Sequence, residues 1–310
     1  MTTVLSAPTA GRAPAATSQR VLRGIVRDPV AMACTAFLTL LVLMAVLAPV
    51  ISALIGHGPN EFDRSAIDTD LGGVPRGHLG GISLDHPFGV EPSSGRDILA
   101  RVAYGARVSL LIALSATVAT TVLGVVLGML AGFHGGWVDQ VISRLMDFLM
   151  AFPALIFMIA ILSSLPQGNR SALLVVVISV FGWPYLARVV RGQTLTLVNR
   201  EFVDAARTSG ASTAALVFTE ILPNLRNTLL VLTTLAVPGF IGTEAGLSFL
   251  GVGISPPTPS WGQMIAQAVT WTFVDPMYFV IPGALLFGTV LSLTVLGDRL
   301  RAVLDTGEAS

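Results

Sequence analysis

The chain has 310 residues, of which 53% are apolar and 12% charged, and its 18 basic and 18 acidic side chains cancel to zero net charge. This composition excludes an ordinary soluble domain and places the chain among membrane proteins. Every basic residue is arginine. A phosphate-binding P-loop needs its lysine on the phosphates, so this chain carries no ATP site of that kind, and energy from ATP has to come from a partner.

Residues 1–19 are mostly Thr, Ala, Ser and Pro, and residues 1–27 read as a disordered cytoplasmic tail. The apolar run that follows Arg12, Arg20, Arg23 and Arg27 is too long for a signal peptide, whose apolar core is about 7–15 residues. It is read as a retained first transmembrane helix, 28–55. Cys34 lies within it as the one cysteine, so no intrachain disulfide can form.

Charges elsewhere are clumped. Charge-free stretches separate Asp28 from Glu61, Arg107 from Asp139, Asp147 from Arg170, Arg170 from Arg188, Arg226 from Glu244, Glu244 from Asp275, and Asp275 from Asp298. A helical span needs roughly 20 apolar residues. These gaps predict an all-α membrane protein with six helices near 30–54, 106–131, 144–165, 171–190, 228–253 and 277–297. The organisation expected is an external segment 56–105 with an interfacial helix, then a five-helix core 106–298 containing a loop at 191–227, then a tail 299–310. Phe152-Pro153 and Gly182-Trp-Pro184 are expected kinks. Asp97 and Arg101, spaced i,i+4, are read as a solvated pair without function. The excess of arginine flanking alternate loops puts both termini, and the loop between spans four and five, in the cytoplasm.

That loop, 199–224, is a polar island between apolar runs. Asn199 is placed to cap a short helix, with Glu201 and Asp204 in its first turns, where acidic groups complement the helix dipole. Gly210 breaks it. Ser212 caps a second helix expected to end near Pro223. Ala205, Ala206 and Gly210 leave one side bare of bulk, which suits close approach by another protein.

Asp204-Ala-Ala, Gly210 and Ile221-Leu-Pro223, at this spacing, resemble the cytoplasmic EAA loop of bacterial ABC importer permeases; Asp204 stands where that family usually has Glu. His86-Pro-Phe-Gly through Gly95-Arg-Asp97, Gly105-Ala-Arg107, Gly132 to Asp139, and Ile254 to Gly262 resemble the "C" permease of the dipeptide, oligopeptide and nickel branch. Val90 departs from the Thr usual there, and 62–82 is longer than typical. The resemblance covers about Arg27 to Asp305. It implies the type I ABC importer permease fold and an ATPase-coupling role for Glu201, Asp204, Ala205, Ala206, Gly210, Ile221, Leu222 and Pro223. It further implies a heterodimer with a second permease, two ATPase subunits that hold ATP and Mg, an external solute-binding protein and surrounding lipid. No cofactor on this chain, no metal site and no nucleic-acid partner are expected.

Glu244 is the one carboxylate deep within a predicted span. Such a group is a functional candidate by default, either on the translocation path or as a structural hydrogen-bonding partner. The four histidines all lie in loops, and no HExxH occurs, so an intramembrane protease is not supported and no catalytic role is expected. His57, His78 and His86 are read as solvated, with nickel import kept as an alternative to peptide import. Half of a secondary transporter is the alternative from another class.

Overall fold

The computed structural model describes residues 28–166 and 168–308; the expected tail 1–27 lies outside the described residues. Asp28 opens helix α1 (Pro29–Val46) by accepting from the Val30 amide at 2.9 Å, and Pro29 supplies a pre-set first turn. After Leu47, α2 (Ala48–Ile55) continues the first span until Gly56, whose φ of +75° ends it. Residues 56–97 hold a short 3-10 turn (Arg64–Ala66), two paired strands, β1 (Ile67–Asp68) and β2 (Val74–Pro75), antiparallel with Ile67 opposite Pro75, and a bridge between Val90 and Asp97.

The expected interfacial helix is instead the first turn of α3 (Ile98–His134), an unbroken 37-residue helix that Asp97 caps at Ala100 N, 2.7 Å away. The third span is also revised. It begins at Gly136 and is broken into α4 (Gly136–Ala151) and α5 (Ala154–Ser164), bent by 88°. Pro153 forces the residue before it out of the helical region, and Phe152 is extended at φ −105°, ψ 149°.

Helix α6 (Arg170–Val198) runs through Pro184 and well past the expected end at 190. Along it Arg188 and Arg191 pair with Asp147 and Asp139 of α4. The chain then forms α7 (Glu201–Thr208), α8 (Thr213–Phe249), α9 (Trp261–Ala268) and α10 (Pro276–Glu308). The tail expected at 299–310 is therefore helical as far as Glu308. Among the described residues, five helices are long and apolar enough to cross a membrane, or six if α4 and α5 form one span.

The core is the seam between α3 and α6. Gly124, Gly128 and Gly132 recur every fourth residue along α3. A methyl on Gly124 would sit 2.6 Å from Leu186 Cδ2, one on Gly128 2.6 Å from the Ala187 carbonyl, and one on Gly132 2.7 Å from Thr194 Cβ. Small residues at this spacing let two backbones touch, and packing is the main force between helices in lipid. The stripe continues through Ala113, Ala116, Thr117 and Thr120, all buried.

Two ends of the bundle follow. At one, segment 56–97 meets the 250–278 region. At the other, Asp28 Oδ2 pairs with Arg299 Nη2 at 2.7 Å, joining the start of α1 to the last turns of α10.

Candidate functional site

Helix α7 and the head of α8 stand at the second end. Asn199 does not cap α7. It closes α6, its amide donating to the Leu195 carbonyl at 2.8 Å, and Arg200 takes the cap position in extended conformation. Glu201 and Asp204 occupy the first turn and are exposed, as is Ala205, while Ala206 is half-buried. Val203 is fully buried and anchors the helix to the bundle. Asp204 Oδ1 accepts from Arg207 Nη1 at 3.1 Å, an exposed pair of small energetic weight.

The end of α7 is a Schellman turn. Ala211 N donates to Ala206 O and Gly210 N to Arg207 O, both at 3.1 Å, with Gly210 at φ +85°. A side chain on Gly210 would meet nothing within 4 Å, so the backbone angle alone calls for glycine. Ser212 Oγ then accepts from Ala215 N at 3.2 Å and starts α8.

The second helix does not end at Pro223. It widens into a π segment, Leu216–Ile221, and continues to Phe249. Proline lacks an N–H and its ring clashes with the carbonyl four residues back; a widened turn just ahead of it removes that clash. Ile221 is buried, Leu222 half-buried and Pro223 exposed. The turn thus leaves Glu201, Asp204, Ala205 and Gly210 on one exposed shelf over an apolar base. Beside it, Met129 and Phe133 of α3 and Val217, Phe218 and Leu222 of α8 line an apolar groove of about 460 Å³.

Glu244 is fully buried. Its two oxygens accept from Ser109 Oγ of α3 at 2.7 Å and Ser248 Oγ at 2.8 Å. Ser248 Oγ in turn accepts from Ile254 N at 3.0 Å. The carboxylate therefore ties α3, α8 and the loop after α8 into one joint, and the structure does not bring it into contact with the α7 shelf.

A third cluster went unread in the sequence. Asp97 and Arg101, expected to be solvated, are 1% and 0% exposed. They do not pair with each other. Arg101 Nε stands 2.6 Å from Glu91 Oε1, and Arg96 Nε is 2.6 Å from Glu91 Oε2. Tyr278 OH donates to Glu91 Oε1 at 2.8 Å, while Arg101 also reaches the Pro59 carbonyl and Gln263. Spacing along one helix shows only neighbours on that helix. These partners arrive from far along the chain, and only the run Glu91 to Arg101, dense in charge beside an apolar span, marks them in sequence.

Residues 124–308 match the profile of the family described as "Binding-protein-dependent transport system inner membrane component", and residues 17–71 that of the "N-terminal TM domain of oligopeptide transport permease C". The glutathione transport system permease protein GsiD of Salmonella paratyphi A is 39% identical over 279 residues, covering 90% of this chain and 87% of its own. The protein of the same name from Escherichia coli O6:K15:H31 is 37% identical over the same shares. Among solved structures, the MetNI methionine ABC transporter in an inward-facing conformation superposes with a TM-score of 0.51. At 19% identity, over 66% of this chain and 96% of that one, the likeness speaks to the fold alone.

Proposed function

The chain belongs to the inner membrane components of binding-protein-dependent transport systems, as an ABC importer permease of the peptide branch in the bacterial inner membrane, and on that premise we propose that it forms half of a peptide path driven through residues 199–224. The family assignment sets aside the secondary-transporter alternative. The observation that carries the coupling reading is the exposed Schellman turn at Gly210. It is a rigid, capped projection with an open face, seated on a buried Val203 and continuous with the head of α8.

In this reading the α7 end faces the cytoplasm, with both termini, and the end formed by 56–97 and 250–278 faces outward. ATP and Mg are held by two ATPase subunits, one of which receives the shelf of Glu201, Asp204, Ala205, Ala206 and Gly210. Ile221, Leu222 and Pro223 fix that shelf to α8. A second, related permease completes the path, and an external binding protein delivers substrate. The relatives named for glutathione transport favour short peptides of that kind over nickel. Glu244 is assigned the structural role, because both its oxygens are already engaged by serines.

The test is Gly210→Val in the importer reconstituted in vesicles with its ATPases and binding protein. A β-branched residue is strongly disfavoured at positive φ, while nothing near Gly210 obstructs a side chain. The variant is expected to insert and extract normally yet lose ATP-driven uptake. Uptake at the wild-type rate would overturn the coupling assignment.

A further inference from the structure

The loop between α2 and α3 gathers His57, Asp63 and His86 so that one ligand atom from each lies within 4.8 Å of the other two. His86 is 5% exposed, which corrects its reading as solvated; His57 and Asp63 are half-buried. The rings of His57 and His86 stack with centroids 4.5 Å apart. Each carboxylate nearby has one oxygen committed to a backbone cap and the other turned to His86. Asp63 Oδ1 accepts from Ser65 N, leaving Oδ2 3.4 Å from His86 Nε2. Asp97 Oδ1 accepts from Ala100 N, leaving Oδ2 2.9 Å from His86 Nδ1.

The side chain of Asp97 is fully buried. A carboxylate in that position keeps a proton on Nδ1 and turns the Nε2 lone pair toward Asp63 and His57. Metal-binding histidines are ordinarily oriented by such a partner. We propose that His57, Asp63 and His86 form a site for a first-row divalent transition metal of the zinc and nickel class, with Asp97 as the positioning residue behind His86.

Two imidazoles and one carboxylate suit these ions, whereas calcium and magnesium take oxygen ligands. Three protein ligands leave a coordination position open. Bonds of about 2.0–2.1 Å put tetrahedral ligand atoms roughly 3.3 Å apart, so the ion draws the present cluster inward. His57 sits just past the end of α2 between Gly56 and Gly58, its carbonyl held by Ser52 Oγ at 2.6 Å, so the inward shift falls to its side chain. The consequence is a clip between the exit of the first span and the cap of α3. This inference does not depend on which way the chain faces or on what it transports.

The full chain, purified in detergent and stripped with a chelator, is titrated with Zn²⁺ alone and then with Ni²⁺ alone, and bound metal is counted after gel filtration. A single equivalent is expected on the wild type, lost in His57→Ala and Asp63→Asn. Asp97→Asn should weaken it by roughly tenfold to a hundredfold. Because Asp97 also caps α3, His57→Ala decides the matter. Its elution and metal-free melting should match the wild type, so that lost binding reports the ligand and not the fold. Wild type holding no more metal than His57→Ala would overturn the site. Metal that leaves the chain for the vesicle lumen during ATP-driven uptake would overturn the clip in favour of cargo.

Discussion

Glycine serves opposite ends at the α3–α6 seam and at the α7–α8 turn. At the seam, Gly128 is helical and has no space, because a methyl would lie 2.6 Å from a backbone carbonyl. At the turn, Gly210 has nothing within 4 Å and is needed only for its φ of +85°. One position is demanded by packing and the other by backbone conformation. The lesson is that the rigid part of the molecule and its projecting part answer to different physics, so replacing the glycines should separate them.

The largest effect is expected at the seam. Gly128→Leu must push α3 off α6 against a backbone atom that cannot rotate away, at a cost toward the upper end of about 1–3 kcal/mol or beyond it. Little folded protein should survive detergent extraction and gel filtration. A monodisperse, wild-type yield would erase the distinction. Gly80 combines both demands, with φ +78° and a methyl that would sit 2.5 Å from Asp275 Oδ1. The fall in melting temperature for Gly80→Ala should therefore lie between those of Gly128→Leu and Gly210→Ala. For Gly210→Ala only the backbone penalty remains, about 1–2 kcal/mol, and the yield of folded protein should be close to normal.

The smallest effect concerns Asp275, against which Gly80 packs. It is 1% exposed, its Oδ1 accepts from Met277 N and Tyr278 N, and its Oδ2 has no partner. Burial raises its pKa above the ordinary carboxylate value of 3.8, outweighing the two backbone amides that lower it. The folded state then holds the proton more tightly than the unfolded state. Stability from this group is greatest at low pH and falls as pH rises from 3.8 through the raised value. Each tenfold preference for the protonated form is worth about 1.4 kcal/mol. Melting curves of Asp275→Asn should show a gain over wild type at neutral pH that shrinks as the pH is lowered toward 4. A constant difference across that range would count against it.

Most of the transmembrane plan was legible because charge in lipid is costly, and charge-free gaps mark the spans. Their ends were less so. Arg188 and Arg191 resemble terminal anchors until Asp147 and Asp139 are seen opposite them. The turn at Gly210 and Ser212 could be read because capping is local chemistry. Asn199 and Pro223 were misplaced because a neighbouring helix end claims one and a widened turn shelters the other. The clusters around Glu91 and His86 stayed hidden for a different reason. The Glu91 cluster takes a partner from a distant helix, Tyr278, 187 residues away, and the His86 cluster is gathered within the irregular stretch 57–97, which has no periodicity to read.

Helix α8 is uninterrupted for 37 residues despite Pro223 and Pro238, a length of about 55 Å. Its N-terminal end adjoins the Gly210 turn, and near its C-terminal end Glu244 and Ser248 grip α3 and Ile254. A pole held near the top and pushed at the bottom pivots. Under the proposed coupling, sideways travel of the N-terminal end would be returned as tilt around the carboxylate joint.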